Sequence, residues 1–281
     1  MAHAERFVEV PGGRLWTVVD GPDDRPDAPP LTLIHSAVVD LRSWDAMTPL
    51  LAAAGYRVLR YDVRGYGRST TDDVEFSNRD DLRAVLDALG IARTAVVGNS
   101  RGAMIALDTI LETPGRFVAY GWVGGGIGGF EGGEPTPEEL ALYEEADAAE
   151  SRGDADALAD IDRRAWLDGI GQPPTRVPAA IRDAMLAMDR PLVAPGRVFG
   201  KPRPLAPPAN ERLAQLAIPT LVVIGELDAS GTRAAAARLA SGAPRARLVS
   251  WPDVAHLVGM EQPERLASEI VDFLGPLPRW R

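Results

Sequence analysis

Gly98-Asn99-Ser100-Arg101-Gly102 fits the spacing G-x-S-x-G. A serine between glycines at a tight strand-to-helix turn can hold its hydroxyl out as a nucleophile. Such a hydroxyl is weak at neutral pH and needs a base beside it, with an acid to orient that base. The chain has three histidines, His3, His35 and His256. His3 stands at a terminus, where segments are commonly mobile. His256 ends Pro252-Asp253-Val254-Ala255-His256 and is the candidate base; the competing reading is a histidine on a surface loop. Asp228 is the candidate acid, just past the run that ends at Ile224-Gly225. Asp253 is nearer to His256 in sequence, but beside Pro252 it fits a turn aspartate. Glu226 is a third acid nearby.

These residues need a scaffold, and the apolar pattern supplies one. Thr94-Ala95-Val96-Val97 reads as a buried strand and Ala103 to Asp108 as the helix after it. The helix N-terminus aims backbone N–H groups at any oxyanion formed on the serine. Residues 7–10 and 14–19 read as a hairpin closed by Pro11-Gly12-Gly13, and a Pro/Asp-rich loop runs from Gly21 to Pro30. Strands follow at Leu31–Ile34, Arg57–Tyr61 and Phe117–Val123, then at Thr220–Ile224 and Ala246–Ser250. Helices are predicted from a Ser43 N-cap to Ala54, and at 79–89, 232–240 and 263–274. This alternation gives an α/β fold, a mostly parallel sheet with helices on both faces and an antiparallel edge. Asp228 and His256 then stand in loops at the carboxyl edge of the sheet, where Ser100 also sits and where open α/β sheets bind ligands.

The alternation stops at Gly124. A glycine run, Gly124 to Gly129, leads to helical stretches near 137–151, 155–168 and 178–189, and a Pro-rich run follows from Pro202 to Pro208. Residues 127–207 are read as a helical cap inserted into a core domain made of 1–126 and 208–281. Gly124, Gly126 and Gly129 match G-x-G-x-x-G in form, but no helix opens at once and acids follow, which would repel a pyrophosphate. Trp166, Leu167, Met185, Leu186 and Met188 read as packing under the cap, with some of them lining an apolar pocket.

Composition removes several functions. The net charge of -10 disfavours nucleic acid and anionic membranes as partners. The absence of cysteine excludes disulfides, thiolate chemistry and Cys-based metal sites. Met1 to Arg6 lacks the apolar run of a signal peptide, and no run approaches the ~20 apolar residues of a membrane span. The expected location is cytoplasmic, as a monomer or homodimer without a cofactor.

Three segments carry a resemblance. Gly98 to Gly102, Leu33-Ile34-His35-Ser36-Ala37 and Tyr61-Asp62-Val63-Arg64-Gly65-Tyr66-Gly67-Arg68-Ser69 are similar to the serine motif, the oxyanion turn and the D-x-R-G-x-G-x-S turn of the α/β-hydrolase superfamily. The order Ser100, Asp228, His256 is also that superfamily's. His35 to Trp44 further resembles 3-oxoadipate enol-lactonases, which carry Asn-Ser-Leu-Gly-Thr-Asp-Leu-Arg-Met-Trp there. The resemblance implies an eight-stranded α/β-hydrolase core and an oxyanion hole made by the N–H groups of Ala37 and Arg101. It also implies supporting roles for His35, Asp62, Arg64, Gly65 and Gly67, with an Asp–Arg network holding their turn.

The expectation is a serine hydrolase cleaving a small-molecule ester or lactone through Ser100, His256 and Asp228. Carbon–carbon hydrolysis, thioester hydrolysis and acyl transfer or cyclisation share the same residues. A ligand-binding protein that keeps the fold without turnover is the rival of another class. Arg101 and Trp166 are the candidate substrate contacts; a guanidinium at 101 could hold a carboxylate. The competing reading, the simpler one for such a side chain, is an arginine that pairs with a neighbouring acid or reaches solvent.

Overall fold

The computed structural model describes residues 2–22, 27–278 and 280. Eight strands build the main sheet: β1 (Ala2–Val10), β2 (Gly13–Gly21), β3 (Pro30–Ile34), β4 (Arg57–Tyr61), β5 (Thr94–Asn99), β6 (Phe117–Val123), β7 (Thr220–Gly225) and β8 (Ala246–Trp251). They lie in the order β1-β2-β4-β3-β5-β6-β7-β8, and the short strand Thr70–Thr71 pairs with β2. The β1–β2 and β2–β4 pairings are antiparallel, and the pairings from β4 across to β8 are parallel. The predicted mostly parallel sheet with an antiparallel edge hairpin is therefore the observed one.

The central strands are apolar along their whole length because helices cover both faces. On β5, Ala95 and Val97 join one core while Val96 joins the other. On β7, Leu221 and Val223 face the first core and Val222 and Ile224 the second. The first core is closed by α1 (Thr48–Ala53) and by a helix at Pro263–Leu274 through Leu51, Leu266 and Ile270. The second is closed by α2 (Asn78–Ala88), α3 (Arg101–Glu112) and a helix at Ser230–Gly242.

Two sequence expectations are corrected, and one falls partly outside the described residues. Ser43 does not cap a helix to Ala54: Asp40 accepts from Arg42 N and caps a single 3₁₀ turn, Leu41–Trp44, and α1 starts only at Thr48, with Pro49 in its first turn. His3 is part of β1, where its Nδ1 lies 2.7 Å from Asp20 and its Nε2 3.0 Å from Glu5. Residues 23–26 of the Pro/Asp-rich loop, and Met1, lie outside the described residues.

Between β6 and β7 the chain leaves the sheet and forms α4 (Pro137–Arg152), α5 (Ala155–Asp162), a π-helical turn at Arg163–Gly169 and α6 (Ala179–Asp189). Thr136 and Glu139 form a capping box at the start of α4, and Gly153 ends it in the left-handed region. Leu142, Ala149, Ile161 and Ala165 pack within the excursion. Leu167, Met185 and Met188 pack with Val39 and Leu257 of the sheet-edge loops. Among the described residues no helix is long and apolar enough to cross a membrane.

Candidate active site

Ser100 caps α3 with φ 55° and ψ −117°, and among the described residues it is the only non-glycine with positive φ. Such a conformation costs about 1–3 kcal/mol and persists only where the surroundings over-determine it. Two close approaches do so here. A Cβ on Gly98 would lie 2.3 Å from Gly102 C, and one on Gly102 would lie 2.2 Å from Ile34 O. Both glycines are thus required by how tightly the turn sits against α3 and β3. Ser100 N also donates to Val123 O at 2.9 Å, tying the turn to β6.

His256 and Asp228 come together from separate loops. The His256 Nδ1–H faces both Asp228 oxygens, at 2.9 and 3.0 Å, and both residues are buried. Ala229 N donates to Asp228 Oδ1 at 2.7 Å, which fixes the carboxylate from behind. The other two acids lie elsewhere: Glu226 accepts from Ser250 Oγ, and Asp253 faces Arg265 at the surface. The glycine run after β6 makes room for the pair, since a Cβ on Gly124 would lie 3.1 Å from Asp228 Oδ2 and 3.4 Å from His256 Nδ1.

Ser100 borders two cavities. One, of about 400 Å³, includes His256, Trp166, Tyr143 and the glycine run among its walls. The other, of about 500 Å³, is bordered by Ala37, Arg101, Arg79 and Arg203. Met104 borders both. Ser100 and His256 border the same cavity, with no hydrogen bond between their side chains among the described residues.

The other predicted residues fall as follows. Ala37 and Arg101 stand on the same cavity as Ser100, Ala37 in the turn after β3 and Arg101 at the first position of α3. His35 is fully buried, with Nδ1 donating to Ser36 O at 2.7 Å and Nε2 accepting from Val63 N at 2.9 Å. Burial pushes its pKa down to about 4, so both nitrogens serve the backbone as a neutral ring. The expected Asp–Arg network does not join Asp62 to Arg64: among the described residues Asp62 accepts from the backbone N–H groups of Leu41 and Arg68, while Arg64 pairs bidentately with Asp81 at 2.7 and 2.8 Å. The guanidinium of Arg101 has no carboxylate partner among the described residues: it donates to Tyr66 Oη at 3.4 Å, and its buried Nε has no partner. The Trp166 ring lies 4.7 Å, centroid to centroid, from the His256 ring.

Residues not singled out from sequence complete the site. Asn99 Nδ2 donates to Val123 O and to His256 O, at 3.0 and 3.1 Å, linking the serine turn to the histidine loop. Glu261 accepts from Ala255 N and pairs with Arg176, which also donates to Asp253 O. Burial pushes the Glu261 carboxyl up to about 7 against the pull of Arg176. Leu257 N donates to Trp166 O at 3.1 Å. Asn99 could have been flagged as a carboxamide ending an otherwise apolar strand. Arg176 and Glu261 carry no local signal for their pairing, because they lie 85 residues apart in sequence. Among the described residues no three His, Asp or Glu side chains cluster as a metal site.

The sequence model of the Alpha/beta hydrolase family matches residues 33–269. A 2-hydroxy-6-oxononadienedioate/2-hydroxy-6-oxononatrienedioate hydrolase of Cupriavidus pinatubonensis is 28% identical over 294 residues, covering 98% of this chain and 96% of the relative. The solved enol-lactonase from Burkholderia xenovorans is 25% identical, with a TM-score of 0.74 over 96% of this chain and 100% of that one. The esterase RhEst1 from a Rhodococcus species shares the fold, with a TM-score of 0.77, 24% identity and coverage of 99% and 100%. The family match takes in most of the sheet, the serine turn and the histidine loop, and the chain belongs to the Alpha/beta hydrolase family.

Proposed function

We propose that this chain is a cofactor-independent serine hydrolase in which Ser100, His256 and Asp228 form the catalytic triad. The observation that carries the reading is His256 Nδ1 held by both Asp228 oxygens beside the cavity that Ser100 borders from a strained turn. In this reading Ser100 Oγ attacks a substrate carbonyl carbon while His256 Nε2 takes its proton. The N–H groups of Ala37 and Arg101 receive the oxyanion, and His256 then protonates the leaving group. Water, activated by the same imidazole, cleaves the acyl-enzyme and regenerates Ser100. Residues 127–207 act as the cap over this site, and Trp166 supplies part of the substrate wall.

An ester or lactone is the first substrate class, supported by the likeness to an enol-lactonase. Carbon–carbon hydrolysis is the second, supported by a relative along nearly the whole chain whose named substrate contains no ester linkage. A panel of p-nitrophenyl esters, a γ-lactone, a thioester and a vinylogous diketone separates them. One class should turn over, and Ser100→Ala should lose at least about 10³-fold in kcat on it. Unchanged turnover in the variant removes the mechanism. A wild-type serine inert to a fluorophosphonate favours the binding-protein reading.

Arg101 is the proposed anchor for a carboxylate on the substrate. It is supported by a buried Nε without a partner and by the dioate named for the Cupriavidus relative. A charge-assisted bidentate bond contributes about 1.5–3 kcal/mol, so Arg101→Met should lower kcat/KM about 10- to 100-fold on a hemisuccinate ester. On a neutral butyrate ester the loss should stay within about threefold. Equal losses on the two esters sink the assignment.

A further inference from the structure

The histidine that carries the proposed chemistry is covered by a side chain from the helical excursion. Trp166 sits in the π-helical turn at Arg163–Gly169, a local widening that often marks functional positions. Its ring tilts 50° against the His256 imidazole with centroids 4.7 Å apart. The same residue accepts from Leu257 N, the amide next to His256. Trp166 therefore touches the base through its ring and grips the base's own loop through its backbone.

The far edge of that indole is held as well. Trp166 Nε1 donates to Asp162 Oδ1 at 3.0 Å, across one helical turn. Asp162 is a costly residue for this place. Among the described residues no cation pairs with it, and its carboxyl is displaced up to about 6 by burial. The carboxyl of Asp189, 1% exposed and with Oδ2 unpartnered, offers no relief, being itself pushed up by burial and by Asp162. An apolar side chain at either position would stabilise the excursion better. What the carboxyl of Asp162 supplies is an acceptor for the indole N–H.

We propose that Asp162 is a positioning residue for His256: by holding the Trp166 indole it fixes the ring that packs on the imidazole, and so the attitude of the base toward Ser100. This rests on the serine-hydrolase reading above. Asp162 touches neither substrate nor reacting atoms.

The test uses the full chain, a fluorophosphonate–rhodamine probe for the rate of Ser100 labelling, and p-nitrophenyl butyrate for kcat and KM. Asp162→Leu removes the acceptor, Asp162→Asn keeps a carboxamide oxygen in its place, and Trp166→Phe keeps a ring without the donor. Asp162→Leu is expected to slow labelling and lower kcat about tenfold with KM within twofold, while raising Tm. A merely structural role would move stability and labelling together. Asp162→Asn should recover to within threefold of wild type. Trp166→Phe should match Asp162→Leu in labelling rate and kcat, its KM moving separately because the same ring borders the cavity, and the double variant should label no more slowly than either, because both break one interaction. Wild-type labelling in Asp162→Leu, no recovery in Asp162→Asn, or a hundredfold loss in the double variant overturns the proposal. If Asp162→Leu does not fold, the other two single variants decide alone. Labelling that survives Ser100→Ala overturns the serine reading instead, whatever the Asp162 variants do.

Discussion

Asp228→Asn is expected to lower kcat about 10⁴-fold while leaving the fold intact. The reason lies in what each oxygen of Asp228 touches. Oδ1 accepts from Ala229 N as well as facing His256, and Oδ2 faces His256 alone. In the asparagine variant the carboxamide oxygen keeps the backbone N–H and the NH₂ group turns to the imidazole. Nδ1 must then accept, which sends the ring proton to Nε2, the nitrogen that should take the proton of Ser100. The variant holds the wrong tautomer in good geometry. Circular dichroism and Tm should match wild type while turnover of the best substrate in the panel collapses. A loss under about tenfold would mean that Asp228 does not orient the base.

Asp189→Asn should stabilise the protein increasingly as the pH rises. Burial, reinforced by Asp162, lifts the Asp189 carboxyl from 3.8 to about 8. The folded chain keeps it protonated across a range in which the unfolded chain ionises it. Its favourable contribution is complete below pH 3.8 and is lost progressively as the pH climbs to about 8. One unit of displacement corresponds to about 1.4 kcal/mol, so the wild type should lose on the order of 4 kcal/mol from this group between about pH 5 and 8. An asparagine cannot ionise and leaves that slope behind. A residual slope should remain, because burial also holds Asp62 and Glu261 up at about 7. Urea unfolding at several pH values reads the difference directly. Parallel stability curves for the two proteins would show that Asp189 is already ionised in the fold.

The sheet was legible because its physics is local and periodic. A strand buried on both faces must be apolar throughout, so Arg57–Tyr61 and Phe117–Val123 have the predicted bounds. The serine turn was legible for a different reason: its glycines are required by contacts of 2.2 and 2.3 Å, and no other residue type satisfies them. The start of α1 was misread because the oxygens of Asp40 and Ser43 compete to cap a helix, and only the tertiary arrangement decides between them. Nothing local in the sequence ties down His3, because its partner Asp20 lies 17 residues away, across a hairpin. Asn99, Arg176 and Glu261 lie beyond such reasoning for the same cause. Their hydrogen bonds join loops that only the closed sheet brings together.

The bond from Leu257 N to Trp166 O ties the excursion to the backbone beside His256. Any motion that lifts the excursion clear of the sheet must break that bond and carry away the ring packed at a tilt against the imidazole. If His256 is the base proposed above, admission of solvent and disarming of that base are a single event. In the serine-hydrolase reading, the strained serine then loses its base at the moment water gains free access to it.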